Sequence, residues 1–323
     1  MANRGTRLGG VAQEKGSAVH TKSCFNVEYS SNEVGARDTS FEEIDHLDNV
    51  VLLGDTFAEG YGVKFEETSQ YLLETGTGKN ILNFGATGSF GPLQYLLIYE
   101  QLASKYRHEA VLIYFLPAND FTDNDYSHWL QTGYTFSPQN KERYRPYFNE
   151  NTTKALELFY PEAAEKRAAL DAHRKKSVFD WREFLLDNFW SANVLRTSNF
   201  LLKVGVNFDP YSGYFDASEA QQTSAIAAIN AIVETAGDIP VILVSIPTKS
   251  DFVRMANGDN SSDQSWWKAF KALETENENV VFLDLSQFPV EDSSQLFFSC
   301  DDHWSAVGNA WAADIIKDYL VKQ

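Results

Sequence analysis

Four positions in this 323-residue sequence carry the functional groups that acyl transfer requires. Thr56 carries a hydroxyl, Gly88 offers a backbone N–H that a ligand can approach closely, and Asn119 carries a side-chain amide. His303 provides an imidazole directly after two carboxylates. Acyl transfer needs a nucleophile, a base that takes its proton, a carboxylate that orients the base, and donors where the oxyanion develops. The sequence therefore holds the whole set, provided that the fold brings these positions together.

Three of these positions follow short apolar segments that are typical of strands buried on both faces. The segments are residues 50–53, 80–84 and 110–116. Open α/β sheets bind their ligands at the carboxyl ends of the strands, so we predict a site there with Thr56 as the candidate nucleophile. The alternative interpretation is that Thr56 belongs to an Asp-Thr turn that only caps the segment after it.

The remaining periodicity predicts an α/β fold. Two more buried strands are predicted at residues 239–246 and 280–285, and helical patterns alternate with the strands. This alternation favours a parallel, five-stranded sheet with helices on both faces. Residues 121–217 interrupt the pattern, are rich in aromatic residues and are far too long for an ordinary connection, so we predict a cap insertion there. We interpret residues 1–45 as a tail leading into an extended segment, and residues 46–323 as one domain that includes the cap.

The bulk composition excludes several classes of protein. The sequence is 43% apolar and 14% aromatic, which is typical of a folded chain rather than a disordered one. Its net charge of −18 argues against binding to nucleic acid or to an anionic membrane surface, and no segment is apolar for long enough to cross a bilayer. Residues 1–16 lack the apolar core of a signal peptide. We therefore expect either a cytoplasmic protein or a sequence that begins downstream of an export signal or anchor.

Cysteine and histidine usage gives no metal site. Cys24 and Cys300 are the two cysteines of the sequence, which excludes a four-cysteine zinc site and a disulfide-dense scaffold. We expect two unrelated thiols, with a single bridge between them as the alternative. The other histidines lie in tail, turn or cap segments, and we expect surface or structural roles for them. They are His20, His46, His108, His128 and His173.

Four sequence blocks together resemble a known family. GDTFAEGYGV, NFGATG, LPAND and DDHW, in this order and at predicted strand ends, are similar to the four blocks of the SGNH hydrolases, also called GDSL hydrolases. The resemblance implies a three-layer, flavodoxin-like sheet of order 2-1-3-4-5 and the hydrolysis or transfer of an ester acyl group, without metal or organic cofactor. It implies Thr56 as the nucleophile and His303 as the general base. It also implies an oxyanion hole formed by Gly88, Asn119 and the backbone N–H of Thr56.

The sequence departs from the family pattern at two positions. Thr56 stands where the family normally has serine, and its methyl group and restricted rotamers lead us to expect weak hydrolysis. Many members place the carboxylate of the triad three residues before the histidine, where this sequence has Cys300. The Asp-x-His-Trp form resembles branches of the family that modify envelope polysaccharides and implies Asp301 as the partner of His303. Asp302 adjoins the histidine and is less able to reach its ring.

These features predict an esterase or deacetylase that acts on an acylated carbohydrate, with a small-molecule or polysaccharide acyl ester as the partner. The aromatic cap suits sugar rings, and we expect at least one of Trp129, Trp181 and Trp190 to face the cleft. One alternative is an O-acyltransferase of cell-surface polysaccharide. Another is a carbohydrate-binding protein on the same fold that has lost its nucleophile. The resemblance favours the periplasm or cell envelope, with the cytoplasm as the alternative.

Overall fold

The computed structural model describes residues 15–42, 48–86, 90–128, 146–148, 158–159 and 211–322. The strands within these residues are β1 (Ser17–Lys22), β2 (Phe25–Ser30), β3 (Asn49–Leu53), β4 (Asn80–Asn83), β5 (Ala110–Phe115), β6 (Tyr147–Phe148), β7 (Leu158–Phe159), β8 (Val241–Ser245) and β9 (Val280–Asp284). The α-helices are α1 (Thr56–Glu59), α2 (Ser69–Thr77), α3 (Pro92–Gln101), α4 (Pro117–Asp123), α5 (Gly213–Asp216), α6 (Glu219–Ala236), α7 (Lys249–Ala256), α8 (Ser265–Glu276) and α9 (Ala306–Leu320).

Five parallel strands form the central sheet in the order β4-β3-β5-β8-β9. This is the predicted flavodoxin-like order 2-1-3-4-5, so the fold class is confirmed. Every residue of β3, β5 and β8 is buried, as expected for strands covered on both faces. The carboxyl ends of all five strands consequently lie along one edge of the sheet.

Side chains of each strand alternate between two apolar clusters, one on each face of the sheet. Val51 and Leu53 lie in the cluster that α3, α6 and α8 complete, whereas Val50 and Leu52 lie in the cluster that α2 and α9 complete. Helices therefore cover both faces, which gives the three predicted layers. None of the helices in the part of the chain that the structure describes has the length and apolar character needed to cross a bilayer.

The amino-terminal segment folds into a hairpin that is covalently joined to the end of the chain. Strands β1 and β2 pair antiparallel, and Cys24 in their turn forms a disulfide with Cys300. The expectation of two unrelated thiols is therefore wrong. The two Cα atoms lie 5.8 Å apart, within the range that a disulfide spans, although the cysteines are separated by 276 residues. Phe25 of β2 also packs against Phe298, with ring centroids 5.2 Å apart, so the hairpin contacts the segment that contains Cys300.

A buried cation holds the backbone that follows β3 and α1. The Arg37 guanidinium donates to the carbonyl oxygens of Glu59 and Gly60, and to that of Val63 at 2.6 Å. The guanidinium also lies 3.9 Å from the centre of the Tyr29 ring. These contacts connect the segment after β2 to the backbone at the end of α1, the short helix that begins at Thr56.

Glu59, the last residue of α1, should make stability depend on pH. Burial raises the pKa of its carboxyl to about 8, although the Arg37 guanidinium opposes the shift. The folded state therefore binds the Glu59 proton more tightly than the unfolded chain, and protonation of Glu59 stabilises the fold. This contribution to the free energy of unfolding is complete below the unfolded pKa near 4 and is lost as the pH rises towards 8. We expect Glu59→Gln to match the wild type at pH 5 and to exceed its free energy of unfolding at pH 9. Denaturant titrations at both pH values measure the difference, which we expect to be on the order of a few kcal/mol. A difference that does not change with pH would contradict this assignment.

Gly308, in the first turn of α9, is required by close packing against the loop that carries the histidine. A Cβ atom there would overlap the carbonyl oxygen of Leu296 and lie 2.8 Å from the Trp304 side chain. We expect Gly308→Ala to destabilise the protein by about 1–3 kcal/mol, the usual cost of overpacking. Gly76 in α2 is the matched control, because a Cβ atom there meets nothing within 4 Å. Gly76→Ala should stabilise by about 0.5–1 kcal/mol through helix propensity, and equal melting temperatures for the two variants would contradict the packing argument.

Candidate active site

Thr56 lies at the carboxyl end of β3, as the first residue of α1. Gly54, in the turn before Thr56, packs closely against both α1 and β5. A Cβ atom on Gly54 would lie 2.7 Å from the Ala58 Cβ in α1 and 3.0 Å from the Tyr114 Cβ in β5. Asp55 caps the helix, accepting a hydrogen bond from the Phe57 N–H at 2.9 Å. The capping function considered for this turn therefore belongs to Asp55, and it leaves the Thr56 hydroxyl available for another partner.

His303 is that partner. Its Nε2 lies 2.8 Å from the Thr56 Oγ1, although the two residues are 247 positions apart in the sequence. The histidine belongs to a tight loop in which Phe298 N donates to His303 O at 3.0 Å and Ser305 N donates to Leu296 O at 2.8 Å. Ser305 then caps α9, because its side chain accepts from Gly308 N. The start of α9 thus fixes where the imidazole meets the end of β3.

Asp301, and not Asp302, contacts the imidazole. The Asp301 Oδ1 accepts from His303 Nδ1 and also from the His303 backbone N–H at 3.0 Å. Asp302 points outwards with 67% of its side chain exposed, and its Oδ1 lies 3.5 Å from the Lys249 ammonium. The geometry is the one expected from the Asp-x-His-Trp block, in which a two-residue spacing lets a carboxylate bond both to the ring and to the backbone.

The Asp301 carboxylate is ionised and strongly held. Its burial disfavours the charge, but hydrogen bonds from His303 and from the Lys22 ammonium outweigh that effect and hold the pKa of Asp301 well below its usual range. An ionised carboxylate at Nδ1 keeps the ring proton on that nitrogen. Nε2 can therefore accept the hydroxyl proton of Thr56, which is the arrangement that general-base activation of a nucleophile requires.

Two aromatic rings fix the plane of the imidazole. The Tyr61 ring is stacked on it with centroids 4.1 Å apart, and the Phe57 ring lies 5.2 Å away, each at an interplanar angle of 28°. Both residues belong to the GDTFAEGYGV block, so the segment that supplies the hydroxyl also orients the ring of the base. Sequence reasoning missed this function, because an aromatic residue near a strand end is more often part of the core.

Asn119 lies beside the same turn. Its Nδ2 donates to Asp55 Oδ2 at 3.1 Å, and Thr56 Oγ1 lies 3.5 Å from that carboxylate oxygen. The amide and the hydroxyl therefore contact one buried carboxyl group, that of Asp55. Burial raises the pKa of Asp55 above its usual value, although the hydrogen bonds from Phe57 N, Asn119 and Thr56 oppose the shift. The Asn119 Oδ1 is buried and has no hydrogen-bond partner among the described residues. Gly88, the other predicted oxyanion donor, lies outside the described residues.

Asp120 supports the helix that carries Asn119. Its Oδ1 accepts from the Tyr95 hydroxyl at 2.7 Å, and its Oδ2 accepts from the Leu116 N–H at 2.7 Å. The carboxyl is fully buried, and burial raises its pKa well above the usual value. These contacts tie the end of β5 to α3, so that α4 begins at a fixed position beside the Thr56 turn.

Two lysines hold the histidine loop, and no sequence pattern indicated either. Lys249 donates to the backbone oxygens of Phe298 at 2.6 Å and Asp301 at 3.0 Å. Lys22 forms an ion pair with Asp301 Oδ2. Lys22 is in a segment without periodicity, far from the DDHW block in sequence, so only the fold reveals the contact. Within the residues that the structure describes, no group of three His, Cys, Asp or Glu side chains could hold a metal ion.

Much of the predicted cap lies outside the described residues. Of residues 121–217, the structure describes 121–128, the short β6–β7 pair and residues 211–217. Six residues considered from the sequence also fall outside: His46, Gly88, Trp129, His173, Trp181 and Trp190. The covering of the cleft by this insertion stays a prediction.

Comparison with known proteins finds similarity in structure only. No protein-family model and no curated protein matches the sequence. Among solved structures, a lipase/acylhydrolase from Enterococcus faecalis is 12% identical, covers 84% of this chain and 97% of its own, and gives a TM-score of 0.43. A GDSL-like lipase from Bacteroides thetaiotaomicron is 13% identical, with 85% and 88% covered and a TM-score of 0.41. A family 3 carbohydrate esterase from Clostridium thermocellum is 11% identical, with 84% and 96% covered and a TM-score of 0.41.

Proposed function

We propose that this protein is an ester hydrolase that transfers the acyl group of its substrate to Thr56 and then to water. The observation that carries the proposal is the continuous chain of hydrogen bonds from Thr56 Oγ1 through His303 to Asp301 at the carboxyl edge of the sheet. A hydroxyl, an imidazole and a buried carboxylate in this order are the nucleophile, base and orienting group of acyl transfer.

In the first half of the reaction, Thr56 Oγ1 attacks the ester carbonyl carbon while His303 Nε2 takes the hydroxyl proton. The imidazolium that forms is stabilised by the ionised Asp301, which keeps its own charge throughout. Negative charge develops on the carbonyl oxygen, and we assign its stabilisation to the Asn119 amide, the Thr56 N–H and the Gly88 N–H. His303 then gives its proton to the departing alcohol oxygen, the C–O bond breaks, and an acyl-threonine ester remains.

In the second half, water replaces the alcohol. His303 Nε2 takes a proton from the water as its oxygen attacks the acyl carbon, and the same oxyanion donors stabilise the second tetrahedral intermediate. Return of that proton to Thr56 Oγ1 breaks the acyl-threonine bond and releases the carboxylic acid. Each step uses only groups on this chain and water.

We propose a short acyl group on a carbohydrate as the substrate class. The support comes from the sequence of the cap insertion, whose tryptophans offer flat surfaces on which sugar rings stack. The acceptor decides between hydrolysis and transfer, because a sugar hydroxyl in place of water would give an acylated sugar through the same intermediate. Hydrolysis is the function that the described residues support best, since they supply the hydroxyl, the imidazole, the carboxylate and the Asn119 amide.

The identity of the nucleophile can be tested by steady-state hydrolysis of p-nitrophenyl acetate. We expect Thr56→Ala and His303→Ala each to lower kcat/KM by at least about a hundredfold, because the nucleophile and base act as a unit. We expect Thr56→Ser to raise kcat by on the order of tenfold to a hundredfold, since removing the methyl group relaxes the restriction on how the oxygen meets the carbonyl.

The matched control is Thr75→Ala, which removes an exposed threonine whose hydroxyl contacts only carbonyls of its own helix. Its kcat/KM should equal that of the wild type. Fast turnover by Thr56→Ala would exclude Thr56 as the nucleophile. A folded Thr56→Ser variant without turnover would instead favour the binding protein, and a rate of ester consumption that rises with added sugar acceptor would favour the acyltransferase.

A further inference from the structure

We propose that Lys22 is a positioning residue for this reaction: from the amino-terminal hairpin it holds the Asp301 carboxylate in the orientation that serves His303. The proposal rests on the function proposed above. It assigns the hairpin a part in the active site, whereas the sequence suggested only a tail.

The contacts of the Asp301 carboxylate divide between its two oxygens. Oδ1 accepts from the ring and the backbone of His303, and Oδ2 accepts from the Lys22 ammonium. Only 7% of the Asp301 side chain is exposed, so water offers little replacement for a lost partner at Oδ2. Without Lys22, a carboxylate that is buried and charged would keep one oxygen poorly paired, which is costly and favours reorientation.

Lys22 also contacts the ring that packs on the base. Its Nζ lies 5.3 Å from the centre of the Tyr61 ring, and the Tyr61 ring is stacked on His303. His20, on the same strand, packs edge-on against Tyr61 at 4.7 Å and lies with Nε2 3.3 Å from the Tyr61 hydroxyl. Strand β1 therefore contacts both neighbours of the imidazole, the carboxylate and the aromatic ring.

The disulfide places this lysine. Cys24 lies two residues after Lys22, and Cys300 directly precedes Asp301, so the bridge joins the two segments beside the ion pair. A flexible surface lysine loses much side-chain entropy when it is held in one ion pair. The bridge already fixes the backbone of the hairpin, and so does the hydrogen bond that Gly62 N donates to the Tyr29 hydroxyl at 2.6 Å. The Lys22 side chain therefore has less conformational entropy left to lose when it forms the ion pair. Lys249 holds the same loop differently, through backbone oxygens, and does not touch the Asp301 carboxylate oxygens.

The test compares Lys22→Met with the wild type by kinetics and by the proton NMR resonance of the His303 Nδ1–H, which reports on its hydrogen bond to Asp301. We expect kcat for p-nitrophenyl acetate to fall on the order of tenfold with KM little changed, because Lys22 positions the triad and binds no substrate. We expect the Nδ1–H resonance to shift upfield, because a carboxylate that has lost its partner at Oδ2 no longer stays aligned with the ring nitrogen. Lys22→Arg should restore both quantities. The control is Lys79→Met, which breaks an ion pair with Glu109 at the opposite edge of the sheet and should move neither quantity.

Removal of the disulfide provides a second test of the proposal. The Cys24→Ser/Cys300→Ser double variant should lower kcat and shift the Nδ1–H resonance upfield in the wild-type background, and should add nothing in the Lys22→Met background. Strictly additive effects would show that the bridge acts otherwise than through Lys22 and would contradict the proposal. A Lys22→Met variant with an unshifted Nδ1–H resonance would overturn it, even if its melting temperature and activity fell together. The NMR measurement needs no turnover, so an inactive wild type would refute the proposed hydrolysis and still leave the assignment of Lys22 decided.

Discussion

The hydrogen bond from His303 to Asp301 is the interaction on which the site depends. A carboxylate two residues before a histidine can bond to the ring nitrogen and to the backbone N–H together, and here it does both. This double contact fixes the tautomer and turns Nε2 towards Thr56. The carboxylate is largely buried, so its charge has to be balanced by neighbours, and the loop has to be rigid. The caps of α9, the Lys249 contacts and the hairpin with Lys22 all act on that loop.

The parallel sheet brings residues that are distant in the sequence to one edge. Parallel strands end on the same side, so Thr56 after β3 and Asn119 after β5 become neighbours because β3 and β5 are paired. Asp55 then connects the two positions, capping α1 with one oxygen and accepting from Asn119 with the other. Thr56 and the Asn119 amide are thus held by buried secondary structure, whereas His303 lies on a loop that is stabilised by separate contacts. That difference explains why the lysines and the disulfide gather around His303.

The apolar pattern of the sequence predicted the five strands, and the family resemblance predicted their order. Thr56 and Asn119 could be expected at one edge because each follows a buried parallel strand. The sequence could not predict the Cys24–Cys300 bridge, since pairing depends on a Cα separation that no spacing of 276 residues encodes. Lys22 and Tyr61 were missed for a related reason. A lysine in an aperiodic segment and a tyrosine after a helix look like surface and core residues until the fold places them beside the imidazole. The choice of Asp301 over Asp302 was accessible, because it follows from how far a side chain can reach along its own backbone.

The proposed reaction depends on Thr56 acting as a covalent nucleophile, a role that serine normally fills in the family that the sequence resembles. Its hydroxyl has the partner it needs, and its methyl group makes the outcome a quantitative question of alignment. The most direct measurement is the mass of the protein quenched with acid during reaction with p-nitrophenyl acetate, followed by peptide mapping. We expect one added acetyl group per chain, located on Thr56 and absent from the His303→Ala variant. An acetyl group on any other residue, or release of p-nitrophenol by a Thr56→Ala variant at the wild-type rate, would contradict it.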